Sequence, residues 1–272
     1  MFKTIGIAVF AVVGVLLAQD GGEKTTVPLH DPSRPGRVEA HLMSGSIIVH
    51  GANVKDITVE ARSRRREELH ERRPARADGM KRLDLGGTGL DVVEDNNVVH
   101  IQTSSWTTPS DLLITVPRRS SLELKTVNDG NIEVQDVEGE IDANDLNGKI
   151  VLKNIAGSVV AHSLNGEVVA TLDRVDPSKP MSFSTMNGNI DVTLPPTVKA
   201  NVRMKTDNGE IYSDFDVKLD SGARMVRNEP GDSQDGRYHV RFDRALRGTI
   251  NGGGPEFQFT SFNGQIFIRK GK

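Results

Sequence analysis

Residues 130–172 read GNIEVQDVEGEIDANDLNGKIVLKNIAGSVVAHSLNGEVVATL, and glycine recurs there every nine residues at Gly130, Gly139, Gly148, Gly157 and Gly166. Apolar residues keep fixed offsets from these glycines. Offset two holds Ile132, Ile141, Ile150, Val159 and Val168, offset four holds Val134, Ala143, Leu152, Ala161 and Ala170, and offset seven holds Val137, Leu146, Ile155 and Leu164. Side chains alternate with period two along a strand, so offsets two and four share one face, and offset seven is expected beyond a bend that returns the chain inward. A helix would not hold this register. One nine-residue unit has too few apolar groups to form a core, so the units must stack to bury them.

Asn-Gly or its one-residue variant marks a corner at Asn128 with Gly130, Asn147 with Gly148, Asn165 with Gly166, Asn187 with Gly188, Asn208 with Gly209, and Asn263 with Gly264. Both residue types tolerate positive φ, which is the expected reason for their presence. In the regular stretch these corners alternate with a second kind, at Gly139 and Gly157, which sets the full repeat at eighteen residues. The expected fold is therefore all-β: a single-stranded, β-helix-like solenoid with two strands per coil of about eighteen residues. Stacked coils would bring Asn147 next to Asn165 at about 4.8 Å, where their amides can form a ladder.

Working outward, Ile47 and Val49 repeat the offsets after Gly45, and DITVEAR (56–62), VVHIQT (98–103) and LLITVP (112–117) read as further strands. Later units are MNGNIDV (186–192), DNGEIYS (207–213) and FNGQIFI (262–268). The expected organisation is a signal peptide at 1–18, a flexible lead at 19–36 and one solenoid domain at 37–272, with a charged insertion at 62–88 and a loop-rich interruption at 217–254 holding one or two strands. The leader places Lys3 before an apolar run from Ile5 to Ala18, shorter than the roughly 20 residues that span a bilayer. It reads as an export signal, with an uncleaved anchor as the competing reading, and no permanent transmembrane span is expected.

An aromatic content of 4% and 27 glycines suit narrow coils with small corner residues. A net charge of −3 and the lack of any nucleic-acid-binding signature point away from nucleic acid. The absence of cysteine excludes disulfides, thiolate metal sites and a cysteine nucleophile. No HExxH pair, GGxGxD calcium repeat or GxSxG elbow occurs, and residues 143–150 only superficially resemble a phosphate loop, with Ile150 where Ser or Thr should bind magnesium. Glu133 and Asp142 are expected on opposite faces, so no stacked carboxylate pair emerges, and Asp129, Asp136, Glu138 and Asp145 read as solvated corner residues. No catalytic, cofactor-binding or metal-binding residue is assigned.

Two features suggest interaction surfaces. Val151 and Val169 are expected on one outer face and Val160 on the other, which implies cover by the N-terminal strands or by a partner. Residues 62–82 carry nine Arg or Lys against four Asp or Glu, including Arg64, Arg65, Arg66, Arg72 and Arg73, and could meet anionic envelope polymers or headgroups.

The G-x-I/V-x-V units with T/S-x-N-G corners, the upstream DITVEAR strand, the passage LLITVPRRSSLELKT and the closing FNGQIFIRK resemble the bacterial putative-adhesin family of exported β-strand-repeat proteins. The resemblance runs from about Val38 to Lys270 and implies a β-solenoid at the cell envelope, with no catalytic motif to carry over. The expected function is a non-enzymatic binding or adhesion surface, in the periplasm or on the cell surface, for an envelope polymer or surface protein. A self-associating structural protein, pairing through exposed strand edges, and a carbohydrate-active β-helix are the alternatives. The register makes one stability prediction: Ile150→Asp buries a charge between stacked strands and should cost at least about 4 kcal/mol, unfolding several coils together. A melting curve close to wild type would reject the register.

Overall fold

The repeat pattern becomes two long parallel ladders in the computed structural model, which describes residues 16–17, 22–64, 89–103, 109–220, 226–227, 241–242 and 245–272. The all-β class is observed, with no helix among the described residues. Twenty-one of the described strands join one mixed sheet around a single apolar core. Alternation drives each strand, as in Ser110–Pro117, where every second side chain is buried.

The first ladder runs, in spatial order, through Val98–Thr103, Gly36–Ser44, Ser120–Asn128, Glu138–Asp145, the second half of Ile150–Asn165, Met181–Asn187, Glu256–Asn263 and Ala200–Asn208. The second runs through Ser110–Pro117, Ile47–Ala52, Ile132–Gln135, the first half of Ile150–Asn165, Val168–Val175, Ile190–Leu194, Ile266–Lys270 and Ile211–Ser213. Ile132, Ile150, Val168, Ile190 and Ile266 form one buried column of the second ladder. Where the first ladder carries Ala143 and Ala161 at its second inward position, its later strands carry Phe183 and Phe259, stacked at 5.4 Å.

A strictly sequential stack of coils is not what forms. Residues 36–52 insert between 98–117 and 120–135, and residues 256–270 insert between 181–194 and 200–213. Antiparallel strands then flank both ends: Ile57–Ser63 on Ser110–Pro117, Leu90–Asp95 on Val98–Thr103, and Leu246–Ile250 on Ala200–Asn208. Placing both terminal repeats inside the stack leaves its ends to strands that reverse direction, which shortens the free parallel edge. The expected flexible lead also contributes a strand, Gly22–Val27, paired with Ile57–Ser63. These N-terminal strands extend the sheet edge-on and do not cover the valines. Val151 and Val169 lie in register and half-buried, and Val160 is 44% exposed on the other ladder.

Offset seven also splits. Val137 and Ile155 are buried, whereas Leu146 is 41% exposed and Leu164 half-buried. The strand before an Asn-Gly corner runs two residues further, so its extra inward position falls at offset six and its offset seven turns outward.

The corners work for a different reason than expected. None of the six corner asparagines has positive φ; among the corner glycines Gly157 (137°) and Gly264 (158°) do, and in the regular stretch so do Asp129, Asp136 and Asn154. Glycine is required by close approach. A Cβ on Gly130 would lie 1.8 Å from the carbonyl oxygen of Gly45, one on Gly148 1.8 Å from that of Gly130, and one on Gly166 1.9 Å from that of Gly148. Stacking at strand spacing drives each corner carbonyl onto the next Cα. The asparagines bridge the same coils, with Asn147 Nδ2 donating to Asn128 Oδ1 (3.1 Å), Asn165 to Asn147 (2.9 Å), Asn187 to Asn165 (2.7 Å), Asn263 to Asn187 (2.7 Å) and Asn208 to Asn263 (2.8 Å).

Inward hydroxyls complete five of these corners. Thr126 donates to the Gly45 carbonyl (2.9 Å), Ser163 to Gly148 (2.9 Å), Thr185 to Gly166 (2.8 Å), Ser261 to Gly188 (3.1 Å) and Thr206 to Gly264 (2.9 Å). Gly166→Ala should therefore force adjacent coils apart and lower stability by about 1–3 kcal/mol or more, read by chemical denaturation. An unchanged midpoint would show that the corner yields without cost.

Candidate functional site

Three backbone segments enclose a cleft of about 380 Å³ at the first coils: residues 29–35, residues 52–55 and residues 117–119, with Glu138 beside them. Each wall is fixed to the sheet. Leu29 is buried and packs over Gly36, while Asn97 clamps the following turn, its Nδ2 donating to the Asp31 carbonyl (2.7 Å) and its Oδ1 accepting from the Asp31 N–H (2.7 Å). Asn97 itself is buried in the hairpin joining Leu90–Asp95 to Val98–Thr103. The Ser33 hydroxyl and N–H both donate to Asp31 Oδ1, which holds that carboxyl below its ordinary range. The other two walls are joined by the Arg118 N–H donating to the Ala52 carbonyl (3.0 Å), and Glu138 N–H donates to Arg118 O (2.7 Å).

Four cations line this cleft: Arg34, Lys55, Arg118 and Arg119. None of them forms a salt bridge with a described residue, whereas Glu138, the lining carboxylate, is engaged by Arg174 at 3.3 Å. On a chain of net charge −3, this is a local excess of positive charge with fixed walls. Guanidinium groups suit phosphate and carboxylate, which they bind through paired N–H donors. The cleft was not legible in the sequence because its walls come from three distant segments, joined only when residues 36–52 insert into the stack.

The sequence-predicted surface residues do not converge on it. Arg64 is committed to structure: its Nη2 lies 2.7 Å from Asp111 Oδ1 and donates to Ser46 Oγ (2.7 Å), and its Nη1 donates to the Asp129 carbonyl. Arg65, Arg66, Arg72 and Arg73 lie outside the described residues. The valines stand on the sheet faces away from the cleft's lining.

A stacked carboxylate row, not expected from the sequence, does form on the outer face of the first ladder. Glu39 is in register with Glu123, and Glu123 with Asp142. Arg37 reaches Glu39 (2.9 Å) and Glu123 (2.5 Å), Lys125 reaches Glu123 (2.5 Å), and the His100 ring lies 3.1 Å from Glu39. The Lys125 hydrogen bond, with that of Arg37, holds the Glu123 carboxyl below its ordinary range against a partial burial that opposes it. A general acid needs the reverse shift. The geometry is that of a cross-coil ion-pair network.

Asp145 departs most from its sequence reading. It is 3% exposed, on the inward side of Glu138–Asp145, where Oδ1 accepts the Asn147 N–H (3.0 Å) and Oδ2 has no hydrogen-bond partner. Burial pushes its carboxyl up to about 7, against the opposing Asn147 hydrogen bond. Its sequence signal is that residues 145–148 read D-L-N-G where the other corners carry Ser or Thr first.

No protein-family model and no curated protein matches the chain. Among solved structures it is similar to a putative cell adhesion protein from Clostridium sporogenes, at 10% identity and a TM-score of 0.44, covering 92% of this chain and 100% of that one. It is also similar to a putative adhesin from Bacteroides fragilis, at 9% identity and a TM-score of 0.28, covering 92% and 96%.

Asn97→Ala should release the 29–35 wall, costing about 1–3 kcal/mol for the Asp31 backbone groups left without partners. Faster amide exchange at Asp31 and Arg34, with the core strands unaffected, would be the local signature. Unchanged exchange there would mean that Asn97 does not hold the wall.

Proposed function

We propose that this chain is an exported, non-enzymatic β-solenoid of two-strand coils that binds an anionic polymer of the bacterial cell envelope through the cleft of Arg34, Lys55, Arg118 and Arg119. The observation that carries this reading is the convergence of four cations, none in a salt bridge with a described residue, on walls pinned by backbone hydrogen bonds. Pinned walls lose little freedom on binding, so more of the electrostatic attraction is retained as affinity. The net negative charge of the whole chain disfavours anionic polymer elsewhere and directs it to this patch. Export, to the periplasm or the cell surface, follows from the apolar leader, and the repeat pattern resembles the putative-adhesin family. No helix among the described residues is long and apolar enough to cross a membrane.

The test passes residues 19–272 over immobilised envelope polymers and a polysaccharide panel, scoring retention and released reducing ends together. Wild type should be retained on phosphate- or carboxylate-bearing polymers and eluted by salt, as screened charge pairs require. The double variant Arg118→Glu, Arg119→Glu should melt like wild type and bind at least about tenfold more weakly. Equal retention of a folded double variant would remove the cleft from the reading. Released reducing ends above a mock control would overturn the non-enzymatic assignment.

A further inference from the structure

Five inward hydroxyls close the Asn-Gly corners by donating to the glycine carbonyl of the neighbouring coil, and Asp145 occupies the equivalent place in the remaining coil of the run. It is in register with Thr126 on one side and Ser163 on the other. By the same pattern its acceptor is the Gly130 carbonyl. The surroundings of the corner glycines bear this out. The Cβ position of Gly166 lies 1.9 Å from Gly148 O and 2.9 Å from Ser163 Oγ, two atoms joined by a hydrogen bond. The Cβ position of Gly148 lies 1.8 Å from Gly130 O and 2.5 Å from Asp145 Oδ2. The carboxyl oxygen thus takes the place of the hydroxyl, and it faces an acceptor.

We propose that Asp145 is held in the fold as a neutral acid whose Oδ2–H is donated to the Gly130 carbonyl, making this corner a proton-dependent joint in the middle of the stack. An ionised carboxylate would set two buried acceptors against each other. The neutral acid uses both oxygens: Oδ1 accepts the Asn147 N–H and Oδ2 donates, which leaves no buried group unsatisfied.

No cation offsets the charge. The in-register neighbours, Thr126 and Ser163, are uncharged. Charged and titratable groups on the adjoining elements belong to outward positions or corners. On the same strand these are Glu138, Glu140 and Asp142; on Ser120–Asn128, Glu123 and Lys125; on Ile150–Asn165, Lys153 and His162. At the corners Lys149 pairs with Glu167 at 2.7 Å, and Asp129 is exposed with Arg64 bound at its carbonyl. Burial accounts for the raised affinity for the proton.

The sign follows by linkage. Below about pH 4 both folded and unfolded chains hold the proton, so its contribution to stability is full there. Between about pH 4 and 7 the unfolded chain releases it while the folded chain keeps it, so stability declines, and the contribution levels off above about 7.

Asp145→Asn is the matched variant, because its amide donates at the same place at every pH. The experiment records the carboxyl 13C titration of Asp145 in the wild type, assigned by its loss in Asp145→Asn, and the melting temperature of both proteins from about pH 4 to pH 8. A midpoint near 7, with melting temperatures close at the acidic end and separating in favour of the variant by at least about 4 °C at the alkaline end, is the expected result. A midpoint near 4 overturns the proposal. So do melting curves that track each other across the range. Should Asp145→Asn fail to fold, Asp145→Ser restores the hydroxyl of the other corners and serves the same comparison, and the wild-type titration decides by itself.

Discussion

The structure depends on one contact, repeated along the stack: the carbonyl of a corner glycine resting against the Cα of the corner glycine in the next coil. Parallel strands at about 4.8 Å leave no room there for a side chain. The carbonyls of Gly45, Gly130, Gly148, Gly166, Gly188 and Gly264 are each covered by the Cα of the next corner glycine and require donors. The strand that leads into the corner supplies the donor, as an inward Ser or Thr two residues before the asparagine in five of the six cases and as Asp145 in the sixth. The asparagine then spans the outer rim, amide to amide. Glycine, hydroxyl and asparagine at a corner are therefore three answers to a single packing constraint.

The candidate cleft forms where this regularity stops. The two ladders offer faces of mixed character, with outward carboxylates already paired to cations, as at Glu39 and Glu123. Arg34, Lys55, Arg118 and Arg119, none in a salt bridge with a described residue, gather instead on the loops that the inserted first repeat brings together. Residues 29–35 reach the cleft because Leu29 anchors in the core and Asn97 holds the turn, and residues 52–55 because Ile47–Ala52 lies beside Ser110–Pro117. In the proposed reading the stack is the frame and the loops the recognising surface, the division expected when binding residues need fixed positions on a variable segment.

Much of the stack was legible in the sequence because period-two alternation and recurrent glycines are local signals. Offsets two and four identified buried residues throughout 130–172, and the register of Ile132, Ile150 and Val168 followed from the eighteen-residue period. Spatial order was not legible: nothing local distinguishes a unit that stacks on its sequence neighbour from one that inserts two coils away, since all the units present similar apolar columns. That ambiguity hid the cleft and the Glu39 and Glu123 row, both created by the insertion of residues 36–52. The role of glycine was misread for a related reason, since φ preference is a property of one residue and close approach a property of two coils. Asp145 was misread because an acidic residue near a turn is usually solvated, and only its register with Thr126 and Ser163 reveals that it points inward.

The coil that carries Asp145 rests on the corner that differs most from the others. Asn128 and Gly130 are separated by Asp129, an extra residue held at φ 57°, while the later corners place asparagine and glycine side by side. A longer corner has more freedom and needs more fastening. Arg64 donates to the Asp129 carbonyl from the outside, while reaching Asp111 and Ser46 on the coils beyond. Asn147 secures the rim through Asn128 Oδ1 and the Val127 carbonyl. The Gly130 carbonyl, on the inner side, is left to residue 145. A hydroxyl there would hold the corner at any pH; an acid holds it only while protonated. The irregular corner and the irregular side chain thus fall in adjacent coils, so the loosest turn of the regular run is also the one whose inner fastening answers to protons.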